Sequence, residues 1–170
     1  AALGAVLGTL ALRQDEKTGT ALFESGAVDA LLALLPAWAG KSERVVDQTL
    51  WALSATARNQ HLLSDAAKRI APHDTCVKLV ELLHKNRTAH AHANTASVLC
   101  STMGMFAMRS ASAHKSLRAA DAEEHVLAEL LFWNERHKRL TKATSGAAAP
   151  PPSPPAVTPL STIVWALDKL

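Results

Sequence analysis

Aromatic residues are scarce in this chain of 170 residues: they make up 4% of the sequence, and tyrosine is missing altogether. Prolines are also few, and six of the eight lie between Pro150 and Pro159. Strands favour β-branched and aromatic residues, and proline interrupts helices, so both shortages disfavour a β protein. Alanine, the best helix former, is the commonest residue. The composition therefore predicts an all-α protein.

Cysteine, long apolar runs and concentrated charge are also lacking. Cys76 and Cys100 are too few for a disulfide framework, which favours a reducing, cytoplasmic compartment. Both occupy apolar positions of helical patterns, so we expect small buried thiols. No uncharged apolar run reaches the about 18 residues of a membrane span, and residues 1–12 lack the basic flank of a signal peptide. We interpret residues 1–12 as a truncated helix from a longer protein. The net charge is only +3 with scattered basic residues, so a nucleic-acid partner is disfavoured.

Motifs for catalysis and metal binding are missing too. The sequence contains no glycine-rich phosphate loop, no Gly-x-Ser-x-Gly and no His-Glu-x-x-His. Of the eight histidines, His84, His90 and His92 are the closest group. Residues two apart on a helix point about 200° away from each other, so His90 and His92 cannot share a ligand face. The sequence predicts no enzyme activity, no cofactor and no metal site.

Internal repeats are the strongest positive signal. Residues 29–35, 77–83 and 125–131 are similar Leu-rich segments, each 48 residues after the last. Their apolar positions follow the 0, 3, 4, 7 spacing of one helix face. The predicted core stripe is Val28, Leu31, Leu32 and Leu35 in the first copy, Cys76, Leu79, Val80 and Leu83 in the second, and Glu124, Leu127, Ala128 and Leu131 in the third.

A second family of segments alternates with the first. Leu7, Leu53 and Leu99 are 46 residues apart, and residues 164–167 repeat the Leu-Trp-Ala-Leu pattern of residues 50–53. Leu167 follows Leu99 by 22 residues more than this period, which indicates a Pro- and Ala-rich insertion at residues 138–159. Shorter helices are predicted at residues 18–25, 59–67 and 110–120.

Several of these segments carry a family pattern: Ser25-Gly26-Ala27-Val28, Leu34-Leu35, the run Gln48 to Ser54, and Asn59-Gln60. In these segments the chain resembles the armadillo-repeat family. The resemblance implies a right-handed α-solenoid of armadillo- or HEAT-like repeats, with about three to four repeats. We expect armadillo-like repeats at residues 1–137, the insertion or linker at 138–159, and the start of a further repeat helix at 160–170.

The resemblance also implies a binding surface, because the third helix of each armadillo repeat lines the concave groove. The third-helix positions that recur at the 46-residue period, and that we predict to bind a partner, are Arg44, Gln48, Trp51, His90, Asn94, Ser97, Ser101 and Trp165. For Trp51, core packing and groove exposure are equally favoured. Trp38 and Trp133 follow the Leu-Leu ends and are predicted to cover the core.

The predicted function is that of a non-catalytic scaffold or adaptor that binds another protein or a peptide, without a small-molecule substrate. Two alternatives are a structural subunit of a large ciliary or cytoskeletal assembly, and the regulatory or targeting domain of a larger enzyme such as a ubiquitin ligase. A third is a HEAT-type nucleic-acid binder. The run Pro150–Pro155 is interpreted as a spacer or as a polyproline II ligand.

Overall fold

A computed structural model of the chain describes residues 2–13, 15–38, 41–58, 73–90, 92–144 and 159–170. All regular structure in these ranges is helical, which confirms the all-α prediction. A π-helical segment, Asn86–His90, continues the fifth helix. The α-helices are α1 (Ala2–Ala11), α2 (Glu16–Glu24), α3 (Ala27–Trp38), α4 (Glu43–Arg58), α5 (His73–Lys85), α6 (Ala93–Arg109), α7 (Ala111–Ala119), α8 (Ala122–Thr144) and α9 (Leu160–Leu167).

Short-range polar contacts set several helix starts. The Asp15 carboxylate accepts a hydrogen bond of 2.7 Å from the Thr18 backbone N–H before α2, and this bond lowers the pKa of Asp15. The Ser110 hydroxyl accepts from the Ala113 N–H at 3.2 Å and caps α7. The turn before α3 has Gly26 at φ 69°, and the turn before α8 has Asp121 at φ 55°. Aspartate tolerates this left-handed conformation, so Asp121 has the role before α8 that Gly26 has before α3.

Four helices that are equivalent by the 46-residue repeat lie side by side. Helix α1 packs against α4, α4 against α6, and α6 against α9. We call α1, α4, α6 and α9 the row helices. The Leu-rich helices pack on the row, with α3 against α4, α5 against α6, and α8 against both α5 and α9. Helix α7 packs against α5, α6 and α8.

The core lies between the row helices and the Leu-rich helices. The first two predicted stripes are confirmed, since Leu31, Leu35, Leu79 and Leu83 are at most 2% exposed and Cys76 is fully buried. Val28 and Val80 are buried as well, whereas Leu32 is partly buried. The 3.6-residue period therefore located the inner face of α3 and α5 correctly.

The third predicted stripe is wrong. Leu127 is 46% exposed and Leu131 is 58% exposed, so this face of α8 points to solvent. The buried residues of α8 are Ala122, Val126, Glu129 and Trp133. Turning this face inward buries the large Trp133 ring, and an aromatic side chain removes more apolar surface from water than a leucine does. The cost is a fully buried carboxylate, Glu129.

Further expectations need correction or fall outside the described residues. Trp133 covers the core as predicted, but Trp38 is 40% exposed and does not. Helix α8 continues through Thr144, past the linker boundary expected at residue 138, because residues 138–144 contain no proline or glycine and Lys138 pairs with Glu135 at 2.9 Å. The predicted helix at 59–67 and residues 145–158 lie outside the described ranges.

Candidate functional site

All the predicted partner-binding residues except His90 lie on three of the row helices. Helix α4 carries Arg44 and Trp51, which are exposed, and Gln48, which is half-buried. Helix α6 carries exposed Asn94 and half-buried Ser97 and Ser101, and α9 carries half-buried Trp165. The backbone of His90 ends the π-helical segment, and its side chain lies outside the described part of the structure.

The two tryptophans of this set lie in seams between neighbouring row helices. The indole of Trp51 crosses Gly8 of α1: a Cβ at Gly8 would lie 2.2 Å from Trp51 Cζ3. In the same way a Cβ at Gly104 of α6 would lie 2.6 Å from Trp165 Cζ3. Each ring therefore needs a glycine on the preceding row helix. Trp51 is still 37% exposed, so it combines the two roles that the sequence left open.

A polar contact holds the seam between α4 and α6. The Asp47 carboxylate accepts hydrogen bonds from Asn94 Nδ2 and, at 2.7 Å, from Thr95 Oγ1. Asn94, predicted to bind a partner, thus has an intramolecular partner in this structure. Sequence reasoning missed Asp47, although it adjoins Gln48 on α4.

A cavity of about 240 Å³, which we call the end pocket, opens where the first turns of α4 and α6 meet the end of α5. Val46, Leu82 and Leu99 form its apolar floor. The other lining residues are polar or charged: Lys41, Ser42, Glu43, Lys85, Asn86, His92 and Thr95. They come from distant parts of the sequence with no recurring spacing, so no sequence pattern could have predicted this site.

Two contacts fix the walls of the end pocket. Asn86, only 4% exposed, donates from Nδ2 to the His92 carbonyl at 3.0 Å and accepts from the His92 N–H at 3.3 Å. His92 Nδ1 also lies 3.2 Å from Glu43 Oε2. These bonds join the π-helical segment to the starts of α6 and α4, so the pocket is formed before any ligand binds.

A second unusual feature is the buried Glu129 of α8. Its Oε1 accepts a hydrogen bond of 2.8 Å from Trp133 Nε1, and Arg87 Nη1 lies 3.8 Å from its Oε2. Within the described residues Oε2 accepts no hydrogen bond. Burial raises the pKa of Glu129, against the opposing effects of the Trp133 bond and the Arg87 charge.

Arg87 belongs to the π-helical segment and has other acceptors besides Glu129. Its Nη1 donates to the His125 carbonyl at 3.3 Å, and its Nη2 donates to His84 Nδ1 at 3.3 Å. The His84 and His125 rings meet edge to face, with centroids 5.6 Å apart. The group therefore joins α5, α8 and the π-helical segment, and its arrangement is that of a structural contact.

The cysteines are buried and free, as predicted. Burial raises the pKa of the Cys76 thiol to about 11, and burial together with the nearby Glu129 charge raises the pKa of Cys100 further. A thiol with a raised pKa is a poor nucleophile at neutral pH. Neither cysteine has the exposed, electropositive surroundings of a reactive thiol.

The described ranges contain no group of three or more His, Cys, Asp or Glu side chains placed to hold a metal ion. In the same ranges no single helix is long and apolar enough to cross a membrane, although one pair bent by 54°, Glu16–Leu22 with Ala27–Leu35, meets the length and composition requirement. Leu22, Leu31 and Leu35 of that pair are buried in the core.

Comparison of the chain with protein-family models, with curated proteins and with solved structures finds no match. The row of helices, the exposed residues on it and the end pocket are therefore the basis for a functional proposal.

Proposed function

We propose that this chain is a section of an armadillo-like right-handed α-solenoid that binds a protein or peptide without catalysing a reaction. The observation that supports this most directly is the row itself. Helices that are equivalent in the repeat pack each on the next, from α1 through α4 and α6 to α9, although an insertion lengthens the last step. Repeats that contact only their neighbours produce an extended surface, which is the property that solenoids use to bind partners.

The proposed binding surface is the row face that carries Arg44, Gln48 and Trp51. Arg44 and Trp51 are exposed two turns apart on α4. Tryptophan and arginine are the residues most enriched among interface hot spots. The intramolecular contacts of Trp51 with Gly8 hold its ring in place, so binding would order little additional side chain.

The test is the double substitution Arg44→Glu with Gln48→Ala. Asn94 is left intact because it bonds to Asp47 and its loss would disturb the seam between α4 and α6. Affinity purification with quantitative mass spectrometry is expected to recover the partners of the parent chain at about one tenth of their level or less, which corresponds to about 1.4 kcal/mol. Circular dichroism should show unchanged helix content and melting.

The matched control is Lys115→Glu, which makes the same change in charge as Arg44→Glu on an exposed position of α7. It should leave partner recovery unchanged. If the α4 variant folds normally and still recovers the partners of the parent chain, this face of the row is not the binding surface.

A further inference from the structure

We propose that the end pocket is a docking site for a partner peptide that inserts one apolar side chain and places acidic residues next to it. This inference rests on the proposed protein-binding function but assigns a contact to a different surface from the row face. The end pocket is lined by none of the residues that the repeat predicted to bind a partner.

The size of the pocket argues for a side chain as its occupant. At about 240 Å³ it lies below the roughly 300–1,000 Å³ of pockets that enclose a drug-sized ligand or cofactor. Its floor of Val46, Leu82 and Leu99 is aliphatic and offers no group for chemistry. An apolar anchor inserted into a preformed pocket is a common feature of interface hot spots.

The charges around the pocket indicate what flanks the anchor. Lys41 and Lys85 are exposed lining residues from two different elements, one just before α4 and the other at the end of α5. Among the lining residues Glu43 alone is acidic, and His92 lies 3.2 Å from it. The rim is therefore positive on balance at neutral pH, and an acidic segment would be complementary to it.

The walls of the pocket are fixed by bonds that a peptide would not have to form. Asn86 bonds to both backbone groups of His92, and Thr95, which lines the pocket, bonds to Asp47 of α4. A preformed pocket lowers the entropy cost of binding and favours one register of the peptide. The lysines are solvent-exposed, so their contribution should weaken as salt is added.

The experiment selects peptides from a phage-displayed library of random 12-residue sequences against the full 170-residue chain. We expect enrichment of sequences with one Leu, Ile, Met or Phe next to two or more Asp or Glu. Affinities of the enriched peptides are then measured by fluorescence anisotropy. Replacing the apolar anchor by Ala, and replacing the acidic residues by Lys, should each weaken binding by about tenfold or more.

Variants of the chain locate the site. Lys41→Glu with Lys85→Glu should weaken binding by at least about tenfold, and the neutral pair Lys41→Gln with Lys85→Gln should give a smaller loss of the same sign. The matched control, Lys17→Glu with Lys115→Glu, makes the same change in charge at exposed positions of α2 and α7, helices that do not line the pocket, and should leave the affinity within about twofold.

The outcomes separate this inference from the proposed function. If the enriched peptides bind the Lys41 and Lys85 variants as tightly as the parent chain but bind the Arg44→Glu, Gln48→Ala variant more weakly, the end pocket is overturned as the docking site and the row face is supported. Peptides that respond equally to the control pair would show attraction by net charge alone and would also overturn the pocket. If the library gives no enriched sequence, both the pocket and peptide binding by this chain are overturned.

Discussion

Replacing Arg87 and replacing Glu129 should have unequal effects on stability, although the two side chains are partners in one contact. Arg87→Met would leave a carboxylate that is 0% exposed without a nearby positive charge. Removal of one partner from a buried ion pair typically costs about 3–5 kcal/mol. That is a large part of a total stability of about 5–15 kcal/mol, so Arg87→Met should lower the melting temperature strongly at pH 7.5.

Glu129→Gln should not cause a comparable loss. The Arg87 side chain is 16% exposed and keeps its hydrogen bonds to the His125 carbonyl and to His84, so it is not left without partners. The amide oxygen of Gln can still accept the Trp133 N–H bond. Because a buried negative charge is removed, the Gln variant should be at least as stable as the parent chain at pH 7.5.

The pH dependence follows from the raised pKa of Glu129. A folded-state pKa above the unfolded value means that the native state holds the proton more tightly. The contribution of Glu129 to stability is therefore fully present below the unfolded pKa of about 4.3, and it is lost as the pH rises through the folded-state pKa. Within that window the slope approaches about 1.4 kcal/mol per pH unit for one group. The penalty of Arg87→Met should therefore shrink between pH 7.5 and pH 4.5, and the Gln variant should lose its advantage over the parent.

The assay is urea unfolding followed by circular dichroism at both pH values, with the exposed Arg118→Met as the control for loss of a surface arginine. The double variant, Arg87→Met with Glu129→Gln, should be more stable than Arg87→Met alone at pH 7.5, and the difference gives the coupling energy. Equal losses from Arg87→Met and Glu129→Gln, or a loss from Arg87→Met no larger than that of the control, would refute the reasoning.

Three further predictions concern the core. Leu79→Asp should unfold the chain, because an unpaired buried carboxylate costs on the order of several kcal/mol or shifts its pKa. Leu131→Asp, on the exposed face of α8, should change the free energy of unfolding, measured by thermal melting, by no more than about 0.5 kcal/mol. A severe loss of stability from Leu131→Asp would mean that the predicted third stripe is buried after all. Gly104→Val should lower the free energy of unfolding of the chain by about 1–3 kcal/mol, because the valine side chain would collide with the indole of Trp165 from α9. The measurement is urea unfolding, and an unchanged midpoint would mean that this seam does not hold the row together. Cys76 and Cys100 should react slowly with iodoacetamide at pH 8, because burial raises both pKa values; alkylation as fast as that of free cysteine would show that the thiols are accessible.

The sequence predicted the helical class and the inner faces of α3 and α5, since both depend on local properties. Helix propensity and the 3.6-residue period determine which side chains share a face, and the Val28 and Cys76 stripes each place four apolar residues on one face. The recurrence of Leu7, Leu53 and Leu99 marked three helices that the structure places side by side in the row. The burial of both cysteines followed from the same periodicity.

Only the tertiary structure decided the orientation of α8 and the sites that depend on it. Helix α8 has two apolar faces, one with Leu127 and Leu131 and the other with Val126 and Trp133, and periodicity cannot choose between them. The choice depends on the total surface buried against α5 and α9, including the cost of Glu129, and these terms involve residues far apart in the sequence. The end pocket and the glycine seams have the same origin, because a cavity or a close approach of two helices exists only once separate segments are packed together.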